Sequence, residues 1–294
     1  MSHPLLSIVI ANYNFGRFLE TAIQSVLCQC VPAEGLPLRL ASGEEFELII
    51  VDGGSSDNSV DIITKYRHRL AWWCSEKDRG QSHAFNKGFS HAAGAFLTWL
   101  NADDLLLPGA LDALARKVRR YPKCEWFTGN FYRFRDDGLI CEVNWGPHVY
   151  PSMLQTRNSP IVVFGPTSFF SKRIYERVGK IDESLNFMMD TDLWMKFMAA
   201  DIMQVRVNHY CWAFRLHAES KTSEYENHIL DQKTKERFCA ESDRVMAARR
   251  YRMSATLYYL FLLTRLVDGS LAWGFYLKLR LQNRASIRLP SDNR

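Results

Sequence analysis

The chain has no apolar run long enough to span a bilayer, no CxxC pair, no zinc-type Cys/His spacing, no internal repeat and no low-complexity tract. Each absence removes a class. The longest apolar candidate, residues 255–279, is broken by Arg265 and Asp268, whereas a spanning helix needs about 20 uninterrupted apolar residues. Residues 1–4 lack a basic region, so the following apolar run 5–11 reads as a first strand rather than a secretion signal. The seven cysteines (Cys28, Cys30, Cys74, Cys124, Cys141, Cys211 and Cys239) are odd in number and read as reduced, small hydrophobic residues. Cys28 and Cys30 form a CxC pair with no further soft ligand nearby. A cytoplasmic address is expected.

Charge of one sign is also scarce in excess: 37 Lys+Arg stand against 32 Asp+Glu, a net +5. With 47% hydrophobic and 23% charged residues, the composition is that of a globular protein and excludes a disordered, collagen-like or coiled-coil chain. Aromatics make up 13% and include eight Trp, which suits either a large core or sugar-stacking surfaces. The length fits one large domain or two fused ones.

What is present is an alternation of strand and helix signals. Buried-strand runs occupy 5–11, 46–51, 70–73 and 95–100, and helical spacing follows at 18–27, 57–66 and 81–93. Such βαβα order predicts a mostly parallel sheet with helices on both faces, whose ligand site lies beyond the carboxyl ends of the strands. Three polar clusters fall there: Asn12/Tyr13/Asn14, Asp52-Gly-Gly-Ser55 and Asp103/Asp104. A further helix is expected after Pro108, strands at 125–134, 161–170 and 209–216, short helices at 172–178 and 190–200, and a long surface loop at 145–160. From residue 221 onward the signal is helical.

Two adjacent carboxylates at a strand end repel one another unless a cation joins them, and Mg²⁺ or Mn²⁺ takes one or two carboxylates together with phosphate oxygens. Helix capping is the plainer reading of either acid. Asp52 could accept from a base N–H, although Asp-Gly-Gly-Ser is first of all a turn. Asp190-Thr-Asp192 puts two acids at a helix start, where the macrodipole favours anions; one serves as a cap and the other as a base toward a sugar hydroxyl. His217, at a strand-to-helix corner, is either a structural histidine or a third metal ligand.

In order and spacing these segments resemble glycosyltransferase family 2 enzymes of the GT-A fold. The matching stretches are Ser7-Ile-Val-Ile-Ala-Asn-Tyr-Asn14, Leu48-Ile-Ile-Val-Asp-Gly-Gly-Ser-Ser-Asp57, Ser75-Glu-Lys-Asp-Arg-Gly-Gln81 through Asn86-Lys-Gly88, Asn101-Ala-Asp-Asp104 and Asp190-Thr-Asp-Leu-Trp194. The resemblance implies inverting transfer of a sugar from a nucleotide-diphosphate donor, a UDP-sugar in the first instance, to a hydroxyl of a glycan or lipid-linked glycan, as in cell-surface polysaccharide synthesis. It places Ala11, Tyr13, Asp52 and Asp78 on the donor, Asp103 on donor sugar or ribose and on the metal, and Asp104 on the metal with His217. Mn²⁺ or Mg²⁺ is the implied cofactor. The base aligns with Asp190, with Asp192 as the alternative.

The chain departs from the family at Asn101, where an acid is usual, at Met189, where a Glu is usual, and at His83 and Phe85, where Asp and Arg are frequent. The implied organisation is a GT-A domain over 1–223, with a nucleotide-sugar half up to 104 and an acceptor half from 105, followed by a helical extension over 224–294. Residues 244–294 hold ten Lys/Arg and two Asp/Glu among aromatic residues, and the rest of the chain holds 27 and 30. The basic excess therefore belongs to this extension. It suits an anionic membrane surface, with the protein peripheral on the inner face of the plasma membrane, or a homo-oligomer contact through the C-terminal helices. No nucleic-acid motif accompanies it. The competing classes are a nucleotidyltransferase, which would want a basic Gly-rich signature near the first strand, and a non-catalytic interaction protein on the same scaffold.

Overall fold

The computed structural model describes residues 3–33, 35–144, 149–150, 165–220 and 231–247. In chain order these form β1 (Leu6–Asn12), α1 (Gly16–Leu27), β2 (Leu38–Arg39), β3 (Glu45–Asp52), α2 (Ser59–Tyr66), β4 (Trp72–Ser75), α3 (Gln81–His91), β5 (Phe96–Asn101) and β6 (Leu105–Leu106). There follow α4 (Ala110–Arg120), β7 (Trp126–Arg135), β8 (Ile140–Asn144), β9 (Val149–Tyr150), β10 (Ser168–Ser171), α5 (Lys172–Arg177), α6 (Met189–Ala199), β11 (Gln204–Leu216) and α7 (Gln232–Ala247).

All the strands join one sheet, whose main path runs β2-β3-β1-β5-β10-β7-β11-β6. In its first half β4, β3, β1 and β5 lie side by side and parallel as expected, while the two-residue β2 runs antiparallel to β3. The second half is mixed. There β10 runs antiparallel to both β5 and β7, while β11 returns parallel to β7. Of the expected strand 161–170, residues 161–164 lie outside the described residues, 165–167 make a 3-10 turn, and β10 begins at Ser168. Of the expected loop 145–160, only β9 is described, paired with β11.

Alternation along the strands divides the core. Leu6, Ile8 and Ile10 of β1 and Leu48 and Ile50 of β3 point to one face, where α1, α2 and α4 cover them. Val9, Ile49 and Val51 point to the other, against α3, α5 and α6. Helix α1 meets the sheet through Leu19, Ala22, Ile23 and Val26, the spacing of a single helical face. At Gly88 the two layers touch: a Cβ there would lie 2.3 Å from Val9 Cγ1, so α3 can sit this close to β1 only through glycine.

Most of the aromatic content is core. Trp99, Trp194 and Trp126 stack in series, each pair of centroids 5.5 Å apart, and all three are buried. This stack ties β5, α6 and β7 together and so fixes the start of α6 relative to the end of β5. Removing a Trp from such a position costs about 3–5 kcal/mol.

The register aligns the strand ends. Asn12 pairs with Asp52, Asp52 with Ser75, and Ala11 with Asn101, so the three polar clusters do share one rim. Among the described residues no helix is long and apolar enough to cross a membrane. The boundary expected near 223 and the basic extension beyond residue 247 lie outside the described residues.

Candidate active site

Asp52 ends β3 with no exposed surface. Its Oδ1 accepts from Asn12 Nδ2 at 2.7 Å and Ser55 Oγ at 2.5 Å, and its Oδ2 from Ser75 Oγ at 2.6 Å, Ser55 N at 2.9 Å and Gly54 N at 3.2 Å. Both oxygens are saturated by the protein. Burial pushes this carboxyl up, but the hydrogen bonds from Ser55, Ser75 and Asn12 together outweigh it and hold the group below its ordinary range. Asp52, expected on the nucleoside, organises the loop after β3 through these bonds.

That loop presents its neighbours instead. Asn14 accepts from Ser56 N at 2.8 Å through Oδ1, and its own N–H donates to Ser55 Oγ at 2.8 Å. Tyr13, between the two asparagines, is 59% exposed. At Gly53 a Cβ would lie 2.9 Å from Asp78 Oδ2 and 3.3 Å from Tyr13 Cδ2, so the missing side chain lets these two groups approach. Asp78 also accepts from Gly80 N at 2.8 Å, just before α3.

The two acids after β5 point in opposite directions. Asp104 is fully buried and accepts from Asn101 Nδ2 at 2.8 Å and Arg215 N at 3.0 Å. Burial, with Asp103 beside it, raises its carboxyl well above the ordinary range. Asp104, expected on the metal, fastens β11 to the end of β5 through these two bonds. Asp103 faces outward. Its Oδ2 lies 2.9 Å from His217 Nε2, and its backbone carbonyl accepts from Arg215 Nε at 3.0 Å. The Arg215 guanidinium is stacked between the rings of Phe18 and Phe134, at 4.8 and 4.6 Å.

Asn101, the departure from the family's acid, has a clear role. It accepts from Gln81 Nε2 at 2.8 Å and donates to Asp104, which an ionised carboxylate could not do at once. A carboxylate there would face Asp104 across the same 2.8 Å.

Asp190 lies in the first turn of α6, but the residue at the cap position is Met188 and no side chain caps the helix, so neither Asp190 nor Asp192 serves as the expected cap. Asp190 Oδ1 accepts from Thr191 N at 2.6 Å. The expected lowering by the helix dipole is also reversed. Burial raises its carboxyl above the ordinary range despite the Thr191 hydrogen bonds. Asp192 turns to the flank of α6 and pairs with Lys196 at 2.8 Å. Met189 is buried and receives Ser82 Oγ at 3.1 Å from its sulfur, so the usual Glu is replaced by a packing residue. Phe85 is likewise buried, 5.3 Å from Trp99, and takes no place at the site.

One cavity of about 550 Å³ joins these parts. Ala11, Tyr13, Asp78, Gln81 and Asp103 line it from the first half of the chain, and Phe187, Asp190, Trp212 and Phe238 from the second. Asp52, Asp104, Asp192 and His217 are not among its lining residues. The volume is that of a small-molecule site.

The profile of glycosyl transferase family 2 matches residues 7–179, the span that builds β1 through β10 and the first half of the rim. The chain belongs to glycosyltransferase family 2. It is 24% identical over 206 residues to an uncharacterized glycosyltransferase of Rickettsia typhi, covering 66% of this chain and 59% of that one. It is 36% identical over 112 residues to one of Nostoc, covering 37% and 31%. Over 221 residues it is 23% identical to the chondroitin synthase of Escherichia coli, covering 74% and 30%. The matched span is thus less than two thirds of each of these relatives' length.

Two solved structures place the fold. Staphylococcus aureus TarS 1-349 in complex with UDP-GlcNAc superposes with a TM-score of 0.58 at 17% identity, covering 74% of this chain and 60% of that one. The mannosyltransferase PcManGT from Pyrobaculum calidifontis, in complex with GDP-Man and Mn²⁺, gives 0.54 at 16%, covering 96% and 86%. This family 2 chain has the GT-A fold.

Several cavity residues carried no recognisable signal in the sequence. Gln81 stands in a matched segment, yet nothing about an isolated glutamine announces its bond to Asn101. Phe187 and Phe238 lie 51 positions apart and look like any core aromatic until the fold pairs them at 5.7 Å.

Proposed function

We propose that this protein transfers a glycosyl group, with inversion, from a nucleoside-diphosphate sugar to a hydroxyl of a glycan or lipid-linked glycan. The observation that carries the reading is that Asp103 and Asp190, from opposite halves of the chain, open onto the same cavity. Inverting transfer is a single in-line displacement and needs two separated functions, one at the departing diphosphate and one at the attacking hydroxyl.

Asp190 is the base. It reaches the cavity while surrounded by protein, and its raised carboxyl makes its ionised form a stronger proton acceptor than an ordinary aspartate. The carboxylate takes the proton from the acceptor hydroxyl as that oxygen attacks the anomeric carbon, and the nucleoside diphosphate leaves from the opposite face. Tyr13 offers an exposed ring to the nucleobase, and Asp78 a carboxylate beside it. A UDP-sugar is the favoured donor.

The residues present fit a divalent cation at Asp103. Among the described residues no three His, Cys, Asp or Glu side chains come together, so the described residues would supply two ligands at most. Asp103 Oδ2 and His217 Nε2 are 2.9 Å apart. These two side chains would hold Mg²⁺ or Mn²⁺, which ordinarily completes its shell with phosphate oxygens and water. A cation held there would neutralise the charge developing on the diphosphate. Arg215, Asp104 and the Phe15 and Phe18 rings around His217 hold the pair in place.

The test is release of nucleoside diphosphate from a panel of UDP- and GDP-sugars with alkyl glycosides as acceptors, with Mn²⁺ and with EDTA. Acceptor-dependent release that EDTA abolishes supports the reading. A chain that releases none from any donor sinks it.

A further inference from the structure

Residues 182–188 lead into α6 and carry the chain to Asp190, yet they belong to no strand or helix. Two consecutive N–H groups in this stretch, those of Asn186 and Phe187, need acceptors. Both find the same one. Glu241 Oε2, on α7, accepts from Asn186 N at 2.9 Å and from Phe187 N at 2.8 Å. The Glu241 side chain is 8% exposed, and its second oxygen accepts from Arg237 Nε at 3.2 Å.

Other contacts follow the same seam. Arg244 donates to Asp182 Oδ2 at 3.1 Å and to Ser184 Oγ at 2.8 Å, Val245 is buried with the α6 core, and the Phe238 ring meets Phe187 edge-on. Helix α7 therefore touches the stretch at both ends, and Phe238 reaches the cavity itself. All of these partners lie beyond residue 179, where the family match ends.

We infer that Glu241 is a positioning residue: by taking the Asn186 and Phe187 N–H groups it fixes the stretch that delivers Asp190 and Phe187 to the cavity, which makes α7 a working part of the site. The catalytic half of this inference rests on the glycosyl-transfer reading. The physical basis is that a buried carboxylate left without its donors is costly, while charge-assisted bonds to backbone N–H groups are about twice as strong as neutral ones. The bonds thus exist only when helix and stretch are docked, and docking sets where Asp190 stands.

The experiment uses the full chain and the variants Glu241→Ala and Glu241→Gln. The amide oxygen of Gln can still accept both N–H groups, so Gln should rescue what Ala loses. The first readout is hydrogen exchange without any ligand. Glu241→Ala should exchange at least tenfold faster across 182–189, with the strands of the sheet protected as in the parent and Glu241→Gln close to the parent. Unchanged protection in Glu241→Ala, or equal loss throughout the chain, overturns the inference whatever the enzyme does.

The second readout is kinetic, with the UDP- or GDP-sugar that the parent uses and an alkyl glycoside acceptor. Here kcat should fall about tenfold in Glu241→Ala while the donor KM stays within twofold, and Glu241→Gln should recover most of kcat. A matching rise in donor KM, or no fall in kcat, overturns the catalytic half. A parent chain with no turnover overturns the glycosyl-transfer reading and that half with it, leaving hydrogen exchange to decide the latch.

Discussion

The two sides of the cavity are built differently. On the donor side, the strand ends are locked by acids that never reach the cavity: Asp52 accepts five hydrogen bonds and Asp104 fastens β5 to β11. On the other side, Asp190 faces the cavity directly and depends on a stretch without regular structure, held from outside by α7. The side proposed for the donor is organised mainly by residues inside the family match, with Arg215 joining from β11, and the side proposed for the base by contacts beyond it. Adjacent acids can thus divide their labour, one shaping the rim and its neighbour facing the ligand.

The sharpest way to break this comparison is Asp190→Asn. The change keeps shape and removes the proton acceptor, so kcat should fall by about 10²–10⁴-fold, the range general bases supply. Donor affinity, measured by titration calorimetry, should stay within twofold, because the donor side is built without Asp190. A variant that keeps a large share of turnover misassigns the base.

The same group sets a pH limb. Burial raises the Asp190 carboxyl, and a base must be ionised, so kcat should fall as pH drops through a midpoint above the ordinary carboxylate value of about 3.9. A pH profile of kcat checks the direction. A limb at or below that value would mean that the base is a solvated acid elsewhere.

On the donor side, Asp103→Ala should lower kcat/KM by roughly 100-fold, since stabilising a departing diphosphate is worth several kcal/mol. Mn²⁺ should raise the melting temperature of the parent and leave that of Asp103→Ala unchanged. Asp104→Asn should act differently. It should lower the melting temperature with or without Mn²⁺, because its oxygens hold Asn101 and Arg215 rather than a ligand.

Asp52→Asn tests the saturated rim. Turning one of its acceptor atoms into a donor opposes the groups already donating there, and hydrogen bonds to a buried charge are worth about 1.5–3 kcal/mol. A loss of roughly 2–4 kcal/mol in urea unfolding is expected. The Asp52 carboxyl lies below its ordinary value in the folded chain, so its contribution is present above about pH 3.9 and lost as pH falls through the lower, folded value. The parent should lose more stability over that acid window than the variant does.

Much of this was legible from sequence. Apolar runs gave β1, β3 and β5, and the carboxyl ends of those runs put the Asn12, Asp52 and Asp103 clusters on one rim. What periodicity cannot tell is which of two adjacent acids faces out. Asp103 and Asp104 differ only by the turn in which Asp104 N donates to Asn101 O, and that turn sends one side chain into the protein and the other to the cavity. The mixed second half was harder to read because β10 is four residues long and pairs with strands distant in sequence. Glu241 had no signal at all, since a glutamate on a charged helix looks like every exposed one.

The smallest expected effect decides the closest choice. Asp192 stands two positions from Asp190, also in the first turn of α6, and an alignment shifted by that much would make it the base. The fold separates them by rotation: two residues along a helix turn a side chain through about 200°, so an acid that follows one facing the cavity faces away from it. Asp192 there meets Lys196 one turn on, a partly exposed i,i+4 pair worth about 0.3–0.5 kcal/mol. Asp192→Asn should therefore change stability by no more than roughly that amount and kcat by less than twofold. A 100-fold loss in kcat with unchanged stability would move the base to Asp192, and the rotation of α6 relative to the cavity would have to be different in the working enzyme.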